Sequence, residues 1–157
     1  DEAGVCGFTD PDNRRTYPWG REDHELIAFH KQMIRIHKVC PAIMKGSVMI
    51  LQAEYNFLAY GRFTEEDHVL VAFNPGRETI ERTVRVRDIG ITSDDNLIQL
   101  MMTDHEGYHT DAVVYQMNRY DVTLKMPPTS AIVLRALSGN EEKIFPYLFD
   151  TDVQFLI

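Results

Sequence analysis

The sequence predicts a mainly β fold, in which an irregular N-terminal loop and one amphipathic helix precede an eight-stranded antiparallel β-sandwich. Three observations lead there. Apolar residues recur at helical spacing between Glu22 and Val39, the pattern after Gly46 changes to short β-type runs, and turn-forming residues punctuate those runs.

Residues 1–21 hold Gly4, Gly7, Pro11, Pro18 and Gly20 without a sustained period, which marks irregular backbone. In the helix, Leu26, Phe29, Met33 and Ile36 recur at three and four positions, and Ile27 and Ile34 widen the stripe. Glu22 and Asp23 suit its positive N-terminal end, Arg35, His37 and Lys38 its C-terminal end, and Pro41 stops it. Strands are expected near 47–53, 57–63, 68–74, 79–88, 96–102, 112–117, 120–126 and 130–137, divided by "NPG", "SDDN", "HEG" and "NR". Val69, Val71 and Phe73 alternate as residues of a strand with one face on a core do. The last stretch, 140–157, carries Ile144, Phe145, Tyr147, Leu148, Phe149 and Phe155, too apolar for a free solvated end, so it either folds back on the sandwich or begins a further region.

Composition narrows the function. At 157 residues the chain is about one domain with an appendage, and no apolar run approaches the ~20 residues of a bilayer-spanning helix. A net charge of −8 with scattered basic residues opposes binding to a phosphate backbone, so neither nucleic acid nor membrane is expected as partner. Cys6 and Cys40 match no paired metal spacing and read as free thiols. His105, His109, Asp104 and Asp111 crowd one turn, but a solvated hairpin turn explains them better than a metal site; no metal or other cofactor is expected. No targeting signal is visible, which leaves the compartment open between cytoplasm and exterior.

Chemistry concentrates in "FTDPDNRRTYPWGRED". Asp10 and Arg14 lie four apart across a proline, where carboxylate and guanidinium converge on one ligand or on each other. Such a pair suits the vicinal hydroxyls of a sugar ring, and Phe8, Tyr17 and Trp19 offer flat faces for its C–H surface. From the residues alone a surface salt bridge, with the aromatics packed beneath the helix, accounts for the same pattern.

"DEAGVCGFTDPDNRRTYPW" resembles the segment after the eighth strand of the (β/α)8 barrel in α-amylase-type enzymes of glycoside hydrolase family 13, particularly neopullulanases, cyclomaltodextrinases, maltogenic amylases and amylopullulanases. "ELIAFHKQMIRIHKVCPAIMKGS" resembles that family's last barrel helix and its P-A-x-x-x-G lead into the C-terminal domain. "VAFN" at 71–74 resembles a strand of that domain, an eight-stranded Greek-key sandwich, and the resemblance covers about residues 1–137.

The resemblance implies a remnant of the catalytic barrel at 1–41, a C-terminal β-sandwich domain at 42–139 and an apolar tail at 140–157. It implies that Asp10 and Arg14 hold the glucose unit two rings to the non-reducing side of the scissile bond, with Asn13 and Trp19 in supporting roles and Arg15 and Tyr17 structural. The parent protein would be a retaining hydrolase of α-1,4 and/or α-1,6 bonds in starch-like oligosaccharides, cyclodextrins or pullulan. Its catalytic carboxylates would come from barrel strands four, five and seven, which precede residue 1, so no catalytic residue is expected in this chain and the chain alone should be inactive. Asp1 and Glu2 match the acidic pair after strand eight instead. Expected partners are an α-glucan oligosaccharide in the intact enzyme, the rest of the barrel, and a second copy through the helix face. The competing expectation is a non-catalytic glucan-binding sandwich module.

Overall fold

The computed structural model describes residues 1–138, and the apolar stretch 140–157 lies outside the described residues. The chain divides into two compact units between Lys38 and Val39.

In the first unit a loop containing a 3-10 turn, Asp12–Arg14, leads to the helix α1, His24–Val39. Asp23 sits just before α1 and caps it: its Oδ1 accepts the Leu26 N–H at 2.9 Å, and its carbonyl accepts the Ile27 N–H at 3.0 Å. A carboxylate there satisfies a donor that the helix cannot pair internally, which is why the helix starts two residues later than its charge pattern predicts. Ile36 is buried as the periodicity requires, whereas Met33 and Ile34 remain exposed and Gln32 is buried with its Oε1 accepting from Arg35 Nη1.

The second unit opens with a short helix the periodicity does not show, α2, Pro41–Lys45, whose first residue is the proline that ends α1. Ten strands follow among the described residues: β1 Ser47–Glu54, β2 Phe57–Phe63, β3 His68–Asn74, β4 Ile80–Arg85, β5 Asp95–Asp104, β6 Gly107–His109, β7 Val114–Tyr115, β8 Met117–Asn118, β9 Asp121–Met126 and β10 Ser130–Ser138. One sheet has the order β1-β2-β3-β10-β5-β6, with β7 also on β5; the other has β4-β9-β8. All described pairings are antiparallel, so the predicted mainly β class holds, with finer division than eight strands.

The division has physical causes. The expected strand 112–117 splits because the chain passes from one sheet to the other: Val114 pairs with Ile98 of the first, while Met117 pairs with Val122 of the second. The expected strand 79–88 ends at Arg85, after which a 3-10 turn, Arg87–Ile89, drops the fully buried Ile89 into the core. Gly61 of β2 makes room for it, since a Cβ there would meet Ile89 Cδ1 at 2.5 Å.

Between the sheets, Leu70, Ala72, Leu97, Ile132 and Leu134 pack with Val84, Val122, Leu124 and Met126 in one core cluster. β9 shows the expected alternation, with Val122, Leu124 and Met126 buried and Thr123 and Lys125 outward. β3 does not: Leu70 and Ala72 face this core, Val69 and Val71 on the opposite face are buried too, and Phe73 stacks on Tyr60 at 6.1 Å. A central strand covered on both faces loses its polar alternation.

Candidate functional site

The chemistry-rich loop builds itself from its own polar groups. Arg14 Nε donates to Asp10 Oδ1 at 2.7 Å and Nη2 reaches Oδ2 at 3.4 Å. Both side chains stand in solvent, 77% exposed for Arg14 and 59% for Asp10. Among the described residues the Arg14 Nη1 donors make no hydrogen bond and Asp10 accepts only from Arg14, which leaves a combination that can donate to and accept from hydroxyls.

The neighbouring arginine turns to another acid. Arg15 Nε and Nη2 donate to Asp12 Oδ1 and Oδ2 at 2.8 and 2.9 Å, and Asp12 Oδ2 also accepts the Phe8 N–H at 2.8 Å. The Phe8 amide bond, then the Arg15 pair, lowers the Asp12 pKa below its ordinary value. Two backbone bonds complete the turn, Asp12 N–H to the Thr9 carbonyl at 2.9 Å and Arg14 N–H to the Pro11 carbonyl at 3.1 Å. Gly7 permits the close crossing, because a Cβ there would lie 2.6 Å from the Asn13 Cα.

Phe8 and Trp19 are 85% and 82% exposed and Tyr17 is 38% exposed, so within this chain the aromatics are not packed beneath the helix. Tyr17 and Trp19 contact each other at 4.6 Å between ring centroids, tilted by 54°. Among the described residues Asn13 makes no side-chain hydrogen bond, while the Asp12 carboxylate beside it joins Phe8 and Arg15. The Arg15–Asp12 pair carries its own signal in the sequence, an Asp-x-x-Arg spacing of three positions. A cleft of about 650 Å³ opens beside the loop; Arg14, Arg15 and Arg21 line it, while Asp10 and Trp19 do not.

Elsewhere the histidine turn is self-contained. Asp104 Oδ1 accepts the Glu106 N–H at 2.8 Å and lies 3.1 Å from His109 Nε2, and among the described residues no group of three or more His, Cys, Asp or Glu is arranged to hold a metal. Cys6 is exposed and Cys40 buried, both free.

No family model matches the chain. It is 30% identical to an amylopullulanase of Thermoanaerobacter thermohydrosulfuricus over 161 residues, covering 89% of this chain and 11% of that protein. A cyclomaltodextrinase of a Bacillus species is 35% identical over 78 residues, 47% of this chain and 14% of that protein. The chain thus spans between about a tenth and a seventh of the length of these curated relatives. In structure it matches an α-amylase of Geobacillus thermoleovorans, determined in complex with acarbose, with a TM-score of 0.72 over 88% of this chain and 28% of that one; at 19% identity this likeness shows the fold. As its loop motif implies, the chain is homologous to amylopullulanase, neopullulanase and cyclomaltodextrinase, enzymes of the α-amylase type.

Proposed function

We propose that this chain is the C-terminal part of a longer α-glucan hydrolase, to which it contributes one wall of the substrate cleft and a stabilising β-domain. Residues 1–41 are the end of the catalytic barrel and 42–139 the C-terminal sandwich. The observation that carries the reading is the solvent-facing Asp10–Arg14 pair, held in a preformed turn with Phe8 and Trp19 open nearby, in a chain whose homologues are glucan hydrolases.

Asp10 accepts hydroxyl hydrogens of a glucose unit two rings to the non-reducing side of the cleaved bond, and Arg14 donates to its hydroxyl oxygens. The existing ion pair fixes both groups in advance, which cuts the side-chain ordering that a sugar would otherwise impose. A retaining glycosidase needs a nucleophile and an acid/base carboxylate about 5 Å apart on opposite sides of the bond. In this reading those groups come from barrel strands four, five and seven, upstream of this segment, consistent with an active site assembled from the loops after several strands.

The test is direct: the 157-residue chain should hydrolyse neither maltotriose, cyclodextrin nor pullulan, and turnover above a buffer control sinks the reading. Fold likeness to complete amylases also suits a second reading, a sandwich that binds glucan by itself. Calorimetric titration with maltoheptaose separates the two, since a self-sufficient module binds and keeps binding after Asp10→Ala.

A further inference from the structure

We infer that Asp12 is the positioning residue for the glucan-holding pair, an inference that rests on the reading of Asp10 and Arg14 given above. Its one carboxylate takes the Phe8 N–H on one side and the Arg15 guanidinium on the other, at 2.8, 2.8 and 2.9 Å. Positions 8 and 15 are the two ends of the turn on which Asp10 and Arg14 stand. Asp12 therefore closes a loop around both binding groups, with its own carboxylate engaged by Phe8 and Arg15.

The closure also settles which acid each arginine takes. Two adjacent arginines and two acids two positions apart allow crossed pairing; with Arg15 held by Asp12 through two hydrogen bonds, Arg14 is left to Asp10, and the pair faces solvent at the top of the turn. Without the Asp12 carboxylate, the Phe8 N–H loses its acceptor and Arg15 is released to compete for Asp10. Among the described residues no other hydrogen bond or ion pair links the two ends, 8 and 15; the Thr9 and Pro11 carbonyl bonds hold only the 3-10 turn within it.

The test uses the full-length enzyme with two substrates. Maltoheptaose reaches the loop, whereas 4-nitrophenyl α-glucoside places its single ring at the cleaved bond and does not. Asp12→Ala should lower kcat/KM on maltoheptaose about tenfold and leave the glucoside unchanged. Asp12→Asn, which can still accept from Phe8 but cannot form the ion pair, should recover part of the loss. Equal losses on both substrates, or an unchanged maltoheptaose value while Asp10→Ala and Arg14→Ala lower it, overturn the inference. If Asp10→Ala and Arg14→Ala also leave maltoheptaose unchanged, the reading of the pair itself fails, and the inference with it.

Discussion

Arg135 Nε donates to Asp67 Oδ1 across 2.6 Å, with Asp67 4% and Arg135 16% exposed. The other oxygen of the same carboxylate accepts the Ala42 N–H at 2.8 Å, so this pair of β10 and the β2–β3 turn also holds the first turn of α2. From the opposite side, Arg62 donates to the Ala42, Ile43 and Gly46 carbonyls at 3.3, 3.0 and 2.8 Å. A five-residue helix is too short to persist unaided, and these two charged side chains supply partners for its unpaired ends.

Asp67→Ala strands the Arg135 charge and the Ala42 amide together, and should therefore cost about 3–5 kcal/mol. Asp67→Asn keeps one acceptor and should cost less. Urea denaturation followed by circular dichroism measures both, and a loss below about 1 kcal/mol for the alanine variant contradicts a structural role for the pair.

Asn74, fully buried at the end of β3, ties two turns together. The two N–H groups of its Nδ2 are shared among the Glu78, Met126 and Pro127 carbonyls at 2.9, 3.2 and 2.6 Å, and its Oδ1 accepts the Gly76 N–H at 3.0 Å. Asn74→Ala removes the partner of these buried and half-buried backbone groups, and a loss of about 2–3 kcal/mol is expected in the same denaturation assay. Asn74→Asp should be no better, because a carboxylate cannot donate to the three carbonyls.

The two thiols should differ sharply in reactivity. Burial pushes the Cys40 thiol up to about 12, and Cys6 is exposed. At pH 8 the Cys40 thiolate is about one part in ten thousand, on top of the steric barrier. Titration with a disulfide reagent should count one fast thiol in the native chain and two after denaturation; loss of the fast phase in Cys6→Ser confirms which one it is.

Asp12 gives the loop a pH limit. Its carboxyl pKa is lowered in the folded loop, through the Phe8 amide first and Arg15 second, so its contribution is fully present above the ordinary value of 3.8 and is lost as pH falls through the lower folded value. Trp19 is the chain's one tryptophan and sits in the same loop, so its fluorescence reports there. Its emission should hold steady down to pH 3.8 and change below it, and Asp12→Asn should remove that acid step.

Strand limits are legible in the sequence wherever a turn has chemical punctuation. β2 and β3 span the expected residues because Asn56 and the 64–67 turn bound them, and β9 shows its buried face in plain alternation. Legibility fails where tertiary structure overrides the local pattern. β3 hides both faces, so Val69, Val71 and Phe73 mark the face away from the core shared by the two sheets; the 112–117 run divides only because it changes sheets. α2 has no period to show over five residues. In the loop, the Asp10–Arg14 convergence is readable from a four-residue spacing, whereas the Asp12 clasp depends on a backbone amide at Phe8 that carries no signature in residue type.

The central claim, that Asp10 and Arg14 grip a glucan in a hydrolase, is tested most directly by kcat/KM on maltoheptaose for the double variant Asp10→Ala/Arg14→Ala of the full-length enzyme. Losing two charged contacts to sugar hydroxyls should lower it by at least about a hundredfold, with thermal stability close to that of the parent. An unchanged kcat/KM in a correctly folded double variant contradicts the account.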